Sequence, residues 1–545
     1  MTELMPLQRF AQCVAEKPDS VWLSQPRERV WHDLTWRQVD DQVRRIASAL
    51  RALGCEPGDR VALFSKNCAE WFIADLAMMA AGLVSVPLYP TQSAESIDYV
   101  LRHSACKAIF LGKLDDQHKL SDAIPETVQR IALPYPTLPA QHQWHELLAR
   151  HEPLAELHAQ RADEVISILY TSGTTGQPKG VMLSAGAMAF AAKSTVTEMK
   201  LGSDDQYFSY LPLSHAAERL VVEMESLYAG ARVSFAESLD TFAEDLRHVR
   251  PTAFFAVPRL WTRFQQGVLE KLPAAKLERL LRLPIVGRLV AAKIRRGLGL
   301  DRARILVSGA ASIPRALLEW YQRLGLTICE GYGMTENFAY GCFNRPGQVH
   351  LGTVGRAMPN NELRIDDNGE VLFRSRALMS GYYLEPEKTA ETLRDGWLHT
   401  GDKGEIDAEG YLTITGRIKD IFKTSKGKYI APAPIEGELA KSTWIEQVCL
   451  MGSGLDQPLA LLELSPAAQQ AAREQVEREL LATLNSLNER LLPHEKINRL
   501  LVVREAWTID NGCMTPTMKI RRNVLEARFA DKVAGLAGKS TLHWE

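Results

Sequence analysis

The sequence predicts an α/β protein of more than one domain. Segments with helical periodicity alternate with short apolar runs, which implies a parallel or mixed sheet with helical crossovers. A chain of 545 residues is also too long for a single hydrophobic core. Hydrophobic residues make up 46% and charged residues 24%, ordinary for a globular protein, and a formal net charge of −2 gives no reason to expect nucleic acid as a partner. The eight cysteines are scattered without a Cys-x-x-Cys pair, so neither a disulfide framework nor a zinc site is expected. That usage fits a reducing, cytoplasmic compartment. The N-terminus has no basic segment leading into an apolar run, and no run of 18 apolar residues occurs anywhere, so neither a signal peptide nor a membrane span is expected.

In chain order, a helical pattern opens the sequence. Val43, Ile46, Ala47, Leu50 and Leu53 then mark one face of a helix over 39–53 that stops at Gly54. A strand is predicted at 60–64, a helix at 67–81 closed by Gly82, a strand at 83–88, and a repeat of the unit at 100–111. The stretch 112–161 is rich in Pro, His and Gln and reads as connection plus one peripheral helix. Further along, a helix is predicted from 185 to about 200 and strands at 207–213, 253–257, 304–308 and 326–329. Near the end, strands at 411–415, 448–452 and 459–464 and a helix at 474–492 describe a smaller α/β unit.

The chain is organised around 168–184, ILYTSGTTGQPKGVMLS. An apolar strand ends at Tyr170, and Thr171, Ser172, Thr174 and Thr175 alternate with Gly173 and Gly176 before Lys179. Glycines let backbone N–H groups approach a ligand and form an anion-binding nest, hydroxyls add donors, and the lysine adds positive charge. This is a polyphosphate cradle. It is not the P-loop, which requires Gly-Lys-Ser/Thr after the fourth intervening residue.

The stretch resembles the signature loop of the adenylate-forming enzymes: acyl-CoA synthetases, firefly-type luciferases and peptide-synthetase adenylation domains. Four later segments follow in that family's order: Gly309-Ala310-Ala311, then Glu330-Gly331-Tyr332-Gly333-Met334-Thr335-Glu336, then the region of Asp402, Arg417 and Lys419, and finally 515–522, TPTMKIRR. The resemblance implies a large N-terminal domain (1–417) of layered α/β subdomains with a small β-barrel-like part. A mobile α+β lid (418–545) hinged at Lys419 completes it. Segments 352–356 and 381–383 would belong to the β-rich part.

The resemblance also implies roles. The glycine loop with Lys179 would hold the β and γ phosphates of ATP. The segments 309–311 and 330–334 would frame adenine, with Tyr332 stacking on it and Thr335 contacting phosphate. Glu336, with Thr171, would hold Mg²⁺, to which a hard carboxylate oxygen is suited. Asp402, read as lying in a Gly-flanked turn, would accept the ribose hydroxyls beside Arg417. Lys519 would be the catalytic lysine, and Gly427 would sit in the loop lining the path of CoA. His215, in YLPLSHAAERL, resembles the histidine that long-chain acyl-CoA synthetases place by the acyl group and α-phosphate.

Peptide-synthetase domains hold the substrate amino group with an acidic residue that has no clear counterpart around 207–218, so an apolar acid is preferred. The activity implied is activation of a long-chain fatty acid as an acyl-adenylate and transfer to CoA. A carrier-protein thiol or an internal hydroxyl giving a lactone are the other acceptors. One stretch lies outside this pattern. Residues 270–304 hold ten basic and three acidic side chains interleaved with Leu, Ile and Val. Two readings stand: a face for an anionic membrane, or a solvated helical excursion with snorkelling side chains. Pro284 and Gly287 break any single long helix there.

Overall fold

The computed structural model describes residues 3–114, 120–171, 177–515, 518–536 and 540–545. They fall into two compact units: one built from the described residues of 3–171, 178–363 and 373–398, the other from Gln177 and those of 364–372 and 399–545.

The first unit contains two large sheets. In the eight-stranded sheet, Arg60–Phe64 lies between the parallel strands Val84–Leu88 and Ala108–Leu111. Val165–Thr171 adds parallel to Val84–Leu88, and Lys179–Ser184 folds back antiparallel to it. Apart from Arg60 at one end and Ser85, these strands are apolar because both faces are covered, as parallel sheets require. Helix Ala69–Ala80, every residue of which is buried, lies in this unit's main core. Helix Trp36–Ala52 starts at Thr35, whose hydroxyl accepts the Gln38 N–H while the Gln38 side chain accepts the Thr35 N–H.

The second large sheet has nine strands. Its parallel centre runs Gln206–Ser209, Ala253–Ala256, Ile305–Ser308 and Ile328–Tyr332, side by side. Their C-terminal ends supply the segments around His215, Gly309 and Tyr332, where ligands of open α/β sheets bind.

Several expectations are corrected. Residues 112–161 carry more than one peripheral helix: Gln129–Ala132 and His142–Gln143 extend the eight-stranded sheet. Gly381–Tyr382 pairs with Lys179–Ser184 at that sheet's edge, and Arg356–Ala357 pairs at the edge of the nine-stranded sheet. Neither belongs to a separate β-rich part. Asp402 lies inside the strand Trp397–Ile406, not in a turn, with Gly401 at φ +71° as a local irregularity. The hairpin Val21–Arg27 and Val30–Thr35 was not foreseen.

The second unit packs helices Pro432–Leu439, Arg473–Asn488 and Arg522–Ala534 on a four-stranded sheet ordered Ile445–Met451, Leu459–Leu464, Arg499–Val502 and Leu542–Trp544. All eight cysteines are buried free thiols. Among the described residues no helix is long and apolar enough to cross a membrane.

Candidate active site

In the first unit the residues expected to handle phosphate and metal form one connected array. Thr171 and Lys179 face each other in register where the strands Val165–Thr171 and Lys179–Ser184 close their hairpin. The Thr171 hydroxyl donates to the Lys179 carbonyl at 3.5 Å. Ser172, Gly173, Thr174, Thr175 and Gly176 lie outside the described residues. The Lys179 ammonium stands 4.8 Å from the ring centroid of Tyr382, a cation–π distance. The Tyr382 hydroxyl donates to the Glu336 carboxylate at 2.7 Å. Burial, and then the neighbouring Glu336 charge, hold that phenol well above its usual range, so it remains a donor.

Glu336 is fixed twice, since its carbonyl also accepts the Met379 N–H at 2.8 Å. Thr335 begins the short turn Thr335–Asn337, closed by the Phe338 N–H on its carbonyl. A rigid, buried carboxylate with a hard oxygen fits a divalent cation. Tyr382 is the residue that the sequence reading missed. Its signal was the Gly-Tyr-Tyr run after the β-rich segment, which carries no chemistry until the sheet edge brings it to Lys179.

The segments expected to frame adenine also converge. Ser308 and Glu330 are paired on neighbouring parallel strands, so Gly309 and Gly331 sit side by side. A Cβ on Gly309 would stand 3.2 Å from the Gly331 carbonyl, and one on Gly333 only 2.5 Å from the Ala339 backbone. Glycine at these positions lets the backbones of the two segments pack directly against their neighbours. Ala310 takes φ +66°, turning the chain, and Ala310 and Ala311 are exposed. The Tyr332 ring lies 5.9 Å from Phe373 at 36°. Met334 is held by its N–H on Asn337 at 2.9 Å.

Burial pushes the Glu330 carboxyl up to about 7, although the Ile313 N–H donates to it. The native state therefore binds a proton that the unfolded chain, with an ordinary value near 4.5, gives up. Stability is expected to fall as pH rises from about 4.5 to about 7 and to level off above that. Glu330→Gln should remove that component, up to about 3 kcal/mol. Thermal midpoints of both proteins from pH 5 to 8 check it, and parallel profiles would refute it.

His215 caps the short helix Ala216–Glu218, its Nδ1 accepting the Ala217 N–H at 3.2 Å. That bond assigns the proton of the neutral ring to Nε2. Glu218 is turned inward, accepting the Ser209 hydroxyl and the Tyr210 N–H, each at 3.1 Å. Burial pushes its carboxyl up to about 8.

In the second unit Asp402 and Arg417 are opposite residues of paired strands, with Arg417 Nε 3.1 Å from the carboxylate. The Glu370 carboxylate accepts the Gly401 N–H at 2.7 Å and holds the His399 ring at 2.9 Å, fixing the backbone just before Asp402. Lys419 is exposed in the turn Ile418–Asp420. Gly427, at φ +78°, closes the small hairpin of Phe422–Lys423 and Tyr429–Ile430. Lys519 is exposed at the end of a tight loop, where its carbonyl accepts the Thr515 N–H at 2.8 Å and its N–H meets the Thr515 hydroxyl at 3.1 Å. Pro516 and Thr517 in that loop lie outside the described residues.

Known proteins were compared with the chain. The family described as "AMP-binding enzyme" matches residues 10–383, and "AMP-binding enzyme C-terminal domain" matches 419–539. The long-chain-fatty-acid–CoA ligase FadD15 of Mycobacterium bovis is 30% identical, with 96% of this chain and 95% of that protein covered. Two solved structures share the fold. The anthranilate CoA ligase AuaEII, with anthranoyl-AMP, matches at TM-score 0.80 and 22% identity over 98% of each chain. The adenylation domain of a carboxylate reductase from Mycobacterium chelonae matches at TM-score 0.82 and 21% identity, covering 98% of this chain and 91% of that one.

Proposed function

The chain belongs to the AMP-binding enzyme family, on its long-chain acyl-CoA synthetase branch, and from that premise we propose that it is an ATP-dependent long-chain fatty acid–CoA ligase. A carboxylate oxygen of the fatty acid attacks the α-phosphorus of ATP, the bond to the bridging oxygen breaks, and pyrophosphate leaves. The thiol sulfur of CoA then attacks the acyl carbonyl carbon, AMP leaves with the former carboxylate oxygen, and the thiol proton is released.

Both partners of the first step are anionic, so charge neutralisation and positioning carry it. The observation that supports this reading is the array Lys179, Tyr382 and Glu336, a cation and a buried carboxylate both in contact with one phenol. Lys179 faces the phosphates, and Tyr382 keeps Glu336 aimed. Mg²⁺ bound at Glu336 would supply charge neutralisation on those phosphates. His215 orients its Nε2–H toward the acyl and α-phosphate groups, and Asp402 with Arg417 takes the ribose. Lys519 serves the first step, and the Gly427 loop replaces it for the second as the lid, from 418 on, turns about Lys419.

The acid is apolar because Glu218, the only acidic residue in 206–218, is buried, bonded inward and mostly neutral at pH 7. It offers no partner to a substrate ammonium. The relative FadD15, named for long-chain fatty acids, supports the same choice.

The test is product analysis by mass spectrometry with Mg-ATP and fatty acids of graded length, with and without CoA. Acyl-CoA and AMP formed only with CoA are expected, with long chains preferred over anthranilate. Adenylate without thioester would move the second step to a carrier thiol or an internal hydroxyl. No ATP turnover with any acid would overturn the reading.

A further inference from the structure

We propose that the helical hairpin formed by Ala274–Leu281 and Pro284–Leu298 is a docking surface for a bilayer bearing anionic headgroups.

The hairpin has two unlike sides. One is anchored: Leu277 and Ala291 are buried, and Leu281, Val290, Ile294 and Leu298 pack against the same core as Trp261 and Tyr321. The Arg295 guanidinium is spent on this side, donating to the Leu324 carbonyl at 2.7 Å. The tip is closely packed, since a Cβ on Gly287 would stand 2.6 Å from the Leu281 carbonyl. Glycine there lets the second helix start hard against the end of the first.

The other side is apolar and uncovered. Ile285 is 77% exposed and Leu289 67%, one helical turn apart on one face, with Leu283 at 48% and Val286 at 40% beside them. Twelve large apolar side chains are exposed among the described residues, and four of them fall within these seven positions. Single exposed leucines are common on any protein, but a contiguous group on a convex tip marks an interaction surface.

Charge selects the partner. Residues 271–296 carry eight basic side chains against the single acid Glu278, whose carboxylate is already paired with Arg323 at 2.7 Å. Arg282 and Arg288 flank the apolar tip, and both are exposed, as are Arg279, Lys293 and Arg296 on the flanks. Apolar side chains that enter the acyl boundary, rimmed by cations that meet lipid phosphates, are the pattern of an interfacial helix. A second copy of this chain would bring the same cations against themselves. Snorkelling accounts for the arginines and lysines, yet it leaves Ile285 and Leu289 in water. That choice between solvated excursion and membrane face is decided by the apolar tip.

The test is vesicle flotation of the full chain with phosphatidylcholine alone and with added phosphatidylglycerol, at low and high salt. Binding to the anionic vesicles that weakens with salt is expected. The double variant Ile285→Ser/Leu289→Ser should lower it by at least about tenfold. Arg282→Glu/Arg288→Glu should abolish the preference for anionic lipid. Both pairs are exposed, so unchanged thermal midpoints serve as the folding control. No binding of the unmodified chain, or equal binding by the Ile285/Leu289 variant, would overturn the proposal. So would sedimentation velocity showing that this variant converts a dimer to a monomer, which would assign the tip to a second copy. Every readout is lipid binding or mass, so the result stands apart from which acid the enzyme takes.

Discussion

Replacing Lys519 by alanine is expected to slow acyl-adenylate formation on the order of 10²–10³-fold, about 3–4 kcal/mol of transition-state stabilisation. The side chain is exposed, and the loop that presents it is held by backbone and hydroxyl bonds to Thr515 that alanine keeps. The fold should therefore be untouched and the loss purely chemical. In the proposed first step negative charge gathers on the α-phosphate as the carboxylate attacks, and the Lys519 ammonium would meet it with little reorganisation. The second step forms no new phosphate bond, so thioester formation from supplied acyl-adenylate should survive. Pyrophosphate release in the first step, and acyl-CoA formed from synthetic adenylate, separate the two. Equal loss of both would show that Lys519 acts on nucleotide binding throughout, and the two-stage role of the lid would fall with it.

How legible the protein was in its sequence depended on the range of the forces involved. Local patterning exposed the helices Trp36–Ala52 and Ala69–Ala80 and the strands Arg60–Phe64 and Val84–Leu88, because one stripe or one apolar run decides each. The hairpin Val21–Arg27/Val30–Thr35 stayed hidden because its turn is Glu28-Arg29, both at positive φ, where Asn-Gly is the usual signal. Tertiary ion pairs hold it: Arg29 reaches Glu237 at 3.0 Å and Asp245 at 2.7 Å. Asp402 read as a turn residue because Gly401 precedes it, whereas the glycine's positive φ makes an irregularity inside a strand. In the site, Gly309, Gly331 and Glu336 were visible as motifs. Tyr382 was not, since its role exists only where Gly381–Tyr382 pairs with Lys179–Ser184.

The other large expected effect concerns a buried charge cluster that no local pattern announces. Asp75→Ala is expected to destabilise the first unit by about 3–5 kcal/mol. Arg219 is fully buried, and its Nη2 lies 2.6 and 2.5 Å from the two Asp75 oxygens. Its Nη1 donates to Ser167 at 2.9 Å, and its face lies 5.3 Å from the Trp71 ring. Removing the carboxylate strands a guanidinium in the core. The wide π-type turn Arg219–Met224, which continues the short helix Ala216–Glu218, also brings Glu223 to 3.2 Å from Arg219 Nε. Burial, and then the Asp75 charge, raise the Glu223 carboxyl well above its usual range, so it stays protonated and the cluster is electrically neutral.

A specific non-additivity follows. Glu223→Gln alone replaces a neutral acid with a neutral amide and should cost little. In Asp75→Ala, Glu223 loses its repelling neighbour and can ionise against Arg219, recovering part of the loss. The double variant forbids that rescue, so it should lose more than the sum of the singles, by more than the 0.3–0.5 kcal/mol scatter of about that size seen for independent sites. Thermal unfolding of the four proteins at one pH measures this. Additive losses would mean that Glu223 is already ionised beside Arg219 and that Asp75 does not hold its proton on.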